Sequence, residues 1–172
     1  MGKLGVNTLG KVEGNIDGPL IDEGRKQAEE IREKLLEEAI DIIISSPLRR
    51  ALETAEIINE DRGIPILIDE RARERNLGIY EELSPKEEKF DEIRYYTKNV
   101  PVPEGEDTKT FTKRVFDFLE DVIKEHRASK NTILIVTHGM FLRSASWYFN
   151  GVPKEDEVIH RVSNCQVDEY EV

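Results

Sequence analysis

Cysteine is nearly absent: Cys165 stands alone among 172 residues, so no intramolecular disulfide can staple the fold, and a reducing cytoplasm is the expected compartment. Basic charge is also in short supply. Lys and Arg number 25 against 36 Asp and Glu, a formal net charge of −11, which leaves no basic footprint and excludes nucleic acid and anionic membrane as expected partners. No apolar run is long enough to span a bilayer, and the first residues carry no apolar signal segment. Histidine is scarce too. His126, His138 and His160 are scattered without ligand spacing, so neither a metal nor another cofactor is expected.

Hydrophobic residues at 38% and charged residues at 35% describe a folded chain with a heavily charged exterior, and the length suits a single domain over 1–172 with one core. The spacing of Ala28, Ile31, Leu35 and Ala39 predicts an amphipathic helix over 22–40. DIIISS, 41–46, reads as a buried strand, after which Ser46 caps and Pro47 opens a helix that Gly63 closes. IPILIDE, 64–70, is a second buried strand; Ser84, Pro85 and Glu87 then form a capping box for another helix. Past the loop VPVPEGED, a longer helix carries Phe111, Val115, Phe118, Leu119, Val122 and Ile123 at helical spacing and leads into strand TILIVT, and the final QVDEYEV alternates like an edge strand. Buried strands alternating with helices predict an α/β three-layer sandwich, a mainly parallel sheet with helices on both faces.

In such a sheet the ligand site lies beyond the carboxyl ends of the strands, where His138, the segment Ser46 to Arg50 and the residues after Asp69 all fall. His138 sits between strand and helix, where an imidazole can exchange protons near neutral pH, and Gly139 leaves the next backbone amide accessible. Arg50 lies in the first turn of its helix, where the dipole disfavours a cation unless an anion is close; its planar fork suits phosphate, whereas Arg49 reads as surface charge. Position alone does not separate Glu74 from Glu70, Glu81 and Glu82. His126 suits a helix end and His160 a loop.

SSPLRRALETA, ERARERNLGIYEEL and LIVTHG, in that order and at these separations, resemble the histidine phosphatase superfamily, whose members include phosphoglycerate mutases and many phosphomonoesterases. GKVEGNIDGPLIDEGRKQA and EGEDTKTFTKRV extend the similarity over nearly the whole chain. The resemblance implies a phosphoglycerate mutase-like fold and a phosphomonoester or inorganic phosphate as ligand. It implies Arg50 as the phosphate clamp, His138 as the second histidine beside the phosphorus, Glu74 as the acid that protonates the leaving oxygen, and Asn7 and Gly139 as phosphate contacts. The reaction would pass through a phosphohistidine intermediate.

One part of the family pattern is missing. The Arg-His-Gly that ends a first central strand and supplies the nucleophile should stand where Met1 and Gly2 do, and the segment MGKLGVNTLGKVEGNIDGPL has no apolar run for a strand. Ile21 also replaces the threonine cap of the first helix, with Asp22 as its substitute. Late truncation of the chain, a natural derivative without catalysis and a strand supplied by an unrelated segment all account for this, truncation being favoured. The expectation is a phosphatase-type chain with negligible turnover, marginal stability and self-association through exposed strand edges. A mutase is the alternative, less favoured because long insertions around the site are absent; a phosphate-binding pseudoenzyme is the other. The loop 76–106, with Tyr80, Tyr95, Tyr96 and Lys98, would set the leaving-group preference.

Overall fold

The isoleucines of Ile42–Ser45 divide between two cores. In the computed structural model, which describes residues 14–81, 92–154 and 162–172, these residues form strand β1. Ile42 and Ile44 pack with Phe118 and Phe141 on one side, whereas Ile43 packs with Ala51 and Ala55 on the other. Strands β2 (Ile66–Ile68) and β3 (Ile133–Val136) flank β1 in the order β2-β1-β3. Both pairings are parallel, with Ile43 opposite Ile66 and Ile44 opposite Ile135. Alternation continues in β3, where Ile133 and Ile135 join the first core and Leu134 and Val136 the second.

Helices cover both faces, as a buried parallel sheet requires. On one face lie α1 (Asp22–Lys34) and α2 (Arg49–Asn59), tied by ion pairs of Arg25 with Glu53 and Arg32 with Glu60, each at 2.6 Å. On the other lie α3 (Thr108–His126) and α4 (Gly139–Asn150), joined by the edge-to-face pair Phe118–Phe141. In the α3 stripe Phe111, Val115, Phe118, Leu119 and Val122 are buried as their spacing predicts, whereas Ile123 is only half-buried, and Asp107 caps the helix by accepting from the Thr110 amide at 2.9 Å. These layers form the predicted α/β/α sandwich.

Several boundaries differ from the sequence expectation. Helix α1 stops at Lys34 rather than 40, because Arg62 donates to the carbonyls of Leu35 and Glu38 and terminates the ladder there. Neither Ser46 nor Asp22 acts as a helix cap. The N-cap position of α2 is Leu48 and that of α1 is Ile21, and neither helix has a side-chain cap; Ser46 Oγ instead accepts from the Leu48 amide at 3.3 Å and faces His138. Asn59 closes the α2–β2 turn with two 2.8 Å bonds to the Ile64 backbone, so β2 begins only at Ile66, and as an edge strand with Leu67 and Ile68 exposed it is not the buried strand expected over 64–70. QVDEYEV is not a strand; its Tyr170 ring stacks on Phe149 at 4.0 Å, holding the segment against α4 instead of on a sheet edge. The capping box at Ser84, Pro85 and Glu87 lies outside the described residues, as does the segment 1–13 with Asn7.

A cavity of about 410 Å³, mouth included, runs beside β3. Leu134, Ile135, Val136 and Thr137 all line it. Since consecutive strand residues point to opposite faces, the cavity follows an edge of β3; Ile31, Ile58 and Val167 help to enclose it.

Candidate active site

The carboxyl ends of three parallel strands converge, and the segments leaving them are stitched together. The Ser46 amide donates to Val136 O at 3.0 Å and the Asp69 amide to Ser45 O at 3.1 Å. Thr137 Oγ1 donates to Ala72 O at 2.7 Å. These bonds bring three polar side chains, all buried, into one region: Arg50 from the first turn of α2, Glu74 from the segment after β2, and His138 from the β3–α4 junction.

Arg50 and His138 touch directly. Arg50 Nε donates to His138 Nδ1 at 3.3 Å, while Nη1 donates to Ile16 O at 2.7 Å and Nη2 to Gly14 O at 2.8 Å. A guanidinium has no acceptor, so Nδ1 must present its lone pair and Nε2 must carry the ring proton. That proton points at Ser46 Oγ, 2.7 Å away. Burial, followed by the Arg50 charge, holds the His138 pKa well below the ordinary imidazole value, and the ring is neutral.

Glu74 is fixed at both oxygens. Oε1 accepts from the Arg75 amide at 3.0 Å and Oε2 from the Met140 amide, in the first turn of α4, at 3.1 Å. Burial raises its pKa, opposed by those two amides and by the charges of Arg50 and Arg143. The carboxyl group therefore sits in the field of Arg50 and is bound to the turn that begins after His138. Gly139 occupies the first position of α4, and a Cβ added there would approach nothing nearer than Val162, at 4.0 Å; the amide of this turn that Glu74 engages is that of Met140.

The other sequence candidates fall elsewhere. His126 is the last residue of α3, near Asn131. Arg49 is surface charge apart from its amide, which donates to Asp17 at 2.7 Å. Asn7 and His160 lie outside the described residues. Among the described residues, no group of three or more His, Cys, Asp or Glu could hold a metal ion, and no helix is long and apolar enough to cross a membrane.

Three further residues were not singled out by sequence. Ser46 reads as a cap by its place before proline, yet its hydroxyl meets the histidine ring. Arg75 and Arg143 read as two of many surface cations, but Arg75 is buried beside Glu74 and Arg143 is half-buried, with its charge acting on the same carboxyl. The only signal in the chain is that each lies within five residues of a candidate, at Glu74 and His138 respectively.

Known proteins share this arrangement of elements. Residues 2–172 match the family model of the histidine phosphatase superfamily, branch 1. A Yersinia pestis protein that bears the name "Probable phosphoglycerate mutase GpmB" is 31% identical over 167 residues, spanning 94% of this chain and 77% of its own. Among solved structures, Bacillus stearothermophilus YhfR superposes with a TM-score of 0.77 at 29% identity, covering 88% of this chain and 77% of that one. A phosphoserine phosphatase variant from Entamoeba histolytica, in complex with phosphoserine, gives a TM-score of 0.75 at 26% identity over the same shares, 88% and 77%. With a parallel sheet, a buried arginine and histidine at its carboxyl end and a family model that spans almost every residue, the chain belongs to the histidine phosphatase superfamily.

Proposed function

We propose that Arg50, His138 and Glu74 bind the phosphoryl group of a small phosphomonoester, and that the reaction they serve is hydrolysis of the phosphatase type. The observation that carries this reading is the buried contact between Arg50 Nε and His138 Nδ1. It aligns a permanent cation and an N–H donor beside a buried carboxylic acid. Arg50 offers charge to the equatorial oxygens of the transferring group, where preorganised donors act most strongly. His138, held as the Nε2–H tautomer, gives that proton to Ser46 in the free site; a phosphoryl oxygen taking the place of the Ser46 hydroxyl would receive it instead. Glu74, whose carboxyl is raised by burial, is suited to protonate the leaving oxygen and then to take a proton from water.

Phosphoryl transfer through nitrogen also needs a nucleophilic imidazole, and the 172 residues contain no Arg-His-Gly. A protein of these 172 residues should therefore bind inorganic phosphate but turn over p-nitrophenyl phosphate negligibly. Calorimetric titration with phosphate tests the first half and a chromogenic assay the second. No phosphate binding, or robust turnover that survives Arg50→Ala and His138→Ala, would sink the reading.

A second reading, a phosphate-binding protein without catalysis, is favoured by one observation: these residues bring Arg50 and His138 into contact yet include no Arg-His-Gly. Phosphate binding with no phosphohistidine formed from a labelled phosphoester would support it. The name of the Yersinia relative points to a mutase; transfer of label to an acceptor alcohol, rather than to water, distinguishes that reaction.

A further inference from the structure

Glu74 stands on a stretch that no helix or strand holds in place. After the short 3₁₀ turn Glu70–Ala72, residues 73–77 belong to neither kind of element, yet Glu74 is buried, and buried carbonyls and amides need partners wherever they lie. Side chains from elsewhere supply them. Thr137 takes Ala72 O. Arg114 of α3 takes the carbonyls around it: Nη1 donates to Arg71 O at 2.6 Å and to Arg73 O at 3.1 Å, and Nη2 reaches Glu74 O at 3.4 Å.

The guanidinium is itself anchored. Nε and Nη2 donate to the two carboxylate oxygens of Glu106 at 2.8 and 2.7 Å, a planar two-point pair, and Cζ lies 4.8 Å from the centroid of the buried Phe111 ring. The five N–H groups of an arginine thus meet five acceptors, three of them backbone carbonyls of the segment that carries Glu74. Glu106 grips the far side of that segment. Its Oε2 accepts from the Asn76 amide at 3.0 Å, its own amide donates to Asn76 O at 2.8 Å, and its carbonyl accepts from Arg75 Nε at 2.7 Å. The same bonds close the base of the 76–106 loop, where a Cβ on Gly105 would stand 2.5 Å from Asn76 O. An ion pair near the surface adds little stability by itself. What this one does is hold the chain from Arg71 to Asn76.

We propose that Arg114, anchored by Glu106, is a positioning residue for Glu74, fixing the backbone so that the carboxyl stays buried between the Arg75 and Met140 amides. Arg114 acts through Glu74 and touches no substrate. The inference rests on the reading of Glu74 as the acid that protonates the leaving oxygen, a role that requires a carboxyl held in one place.

The titration of Glu74 itself tests this, followed by NMR in protein carrying ¹³C-labelled glutamate carboxyls and assigned by the signal lost in Glu74→Gln. The charges that face Glu74 are Arg50 from α2, Arg143 from α4 and the neighbouring Arg75, and the test variants keep all three. Burial is the largest cause of the raised Glu74 pKa. Arg114→Gln frees the segment and admits water, so the midpoint should fall toward 4.5. Deleting a nearby cation acts with the opposite sign, since it raises a carboxyl pKa. An ion pair that only adds stability leaves the native midpoint in place and lowers the melting temperature. A raised or unmoved midpoint, in Arg114→Gln protein shown to be folded by circular dichroism, therefore overturns the inference. Should Arg114→Gln fail to fold, Glu106→Gln keeps the guanidinium but weakens its anchor, and is read the same way: a fall supports the inference and an unmoved midpoint overturns it. Calorimetric titration with inorganic phosphate keeps the two readings apart. An unmoved Glu74 midpoint with phosphate still bound sinks the positioning role alone, whereas a fallen midpoint in a protein that binds no phosphate sinks the reading of the site and leaves the hold of Arg114 on Glu74 standing.

Discussion

His138 keeps a neutral ring because burial and the Arg50 charge both oppose a second proton, and this has a measurable sign. In the unfolded chain the ring protonates near its ordinary value of 6.5, whereas the native ring does not. Acid therefore favours the unfolded state: the contribution of His138 is complete above that pH and is lost as the pH falls below it, with a slope approaching about 1.4 kcal/mol per pH unit. Glu74, raised from 4.5, has the opposite sign, since the native carboxyl holds its proton more tightly. Comparing the unaltered chain with His138→Gln separates the two. Urea unfolding on either side of pH 6.5 should show the acid loss in the former and not in the latter; equal slopes would mean that the native ring is not held neutral. His138 and Arg50 were legible in sequence because each occupies a place where its residue type is hard to explain otherwise, a strand end and the positive end of a helix. Glu74 was not selected by position, since what distinguishes it from Glu70 and Glu81 is burial and two backbone donors. The same holds for Arg75 and Arg143, whose meaning is wholly tertiary.

Among the elements, periodicity was the dependable signal and capping chemistry the weak one. The stripe of α3 and the alternating isoleucines of β1 were readable because burial imposes periods of 3.6 and 2 on the chain. The end of α1 was not, because Arg62, 24 residues beyond Glu38, decides it. Nor was the fate of QVDEYEV, whose alternation is compatible with a strand but whose Tyr170 finds Phe149. The α3–α4 layer also gives the strongest test of packing. Phe118 is fully buried and meets Phe141 edge-to-face with ring centroids 5.6 Å apart. Phe118→Ala should cost about 3–5 kcal/mol, read as a lowered urea midpoint with an unchanged slope. A loss below about 1 kcal/mol would mean that the layer collapses to fill the space.

At the scale of the whole molecule, the fold class and the family were legible because buried strands alternate with helices and three motifs keep their order, neither of which depends on any single contact. The behaviour of the surface follows from two features with opposing effects. A net charge of −11 keeps copies apart. Yet β2 closes one side of the described sheet with Leu67 and Ile68 50% and 57% exposed, an apolar edge of the kind that invites pairing with another chain. Association is therefore expected to grow with salt as repulsion is screened. Sedimentation at low and high ionic strength tests this, and Leu67→Lys should keep the protein monomeric in both. A monomer at every salt concentration would show that the edge is too short to pair.

The space beside β3 gives the molecule a mechanical signature. Atoms that enclose a void fill more volume than the same atoms surrounded by solvent, so hydrostatic compression drives the chain toward whichever state abolishes the void. Under kilobar loading followed through Trp147 emission, unfolding should proceed with a contraction on the order of tens of mL/mol, and a peptide or small apolar solute lodged along the strand would stiffen the protein against the load.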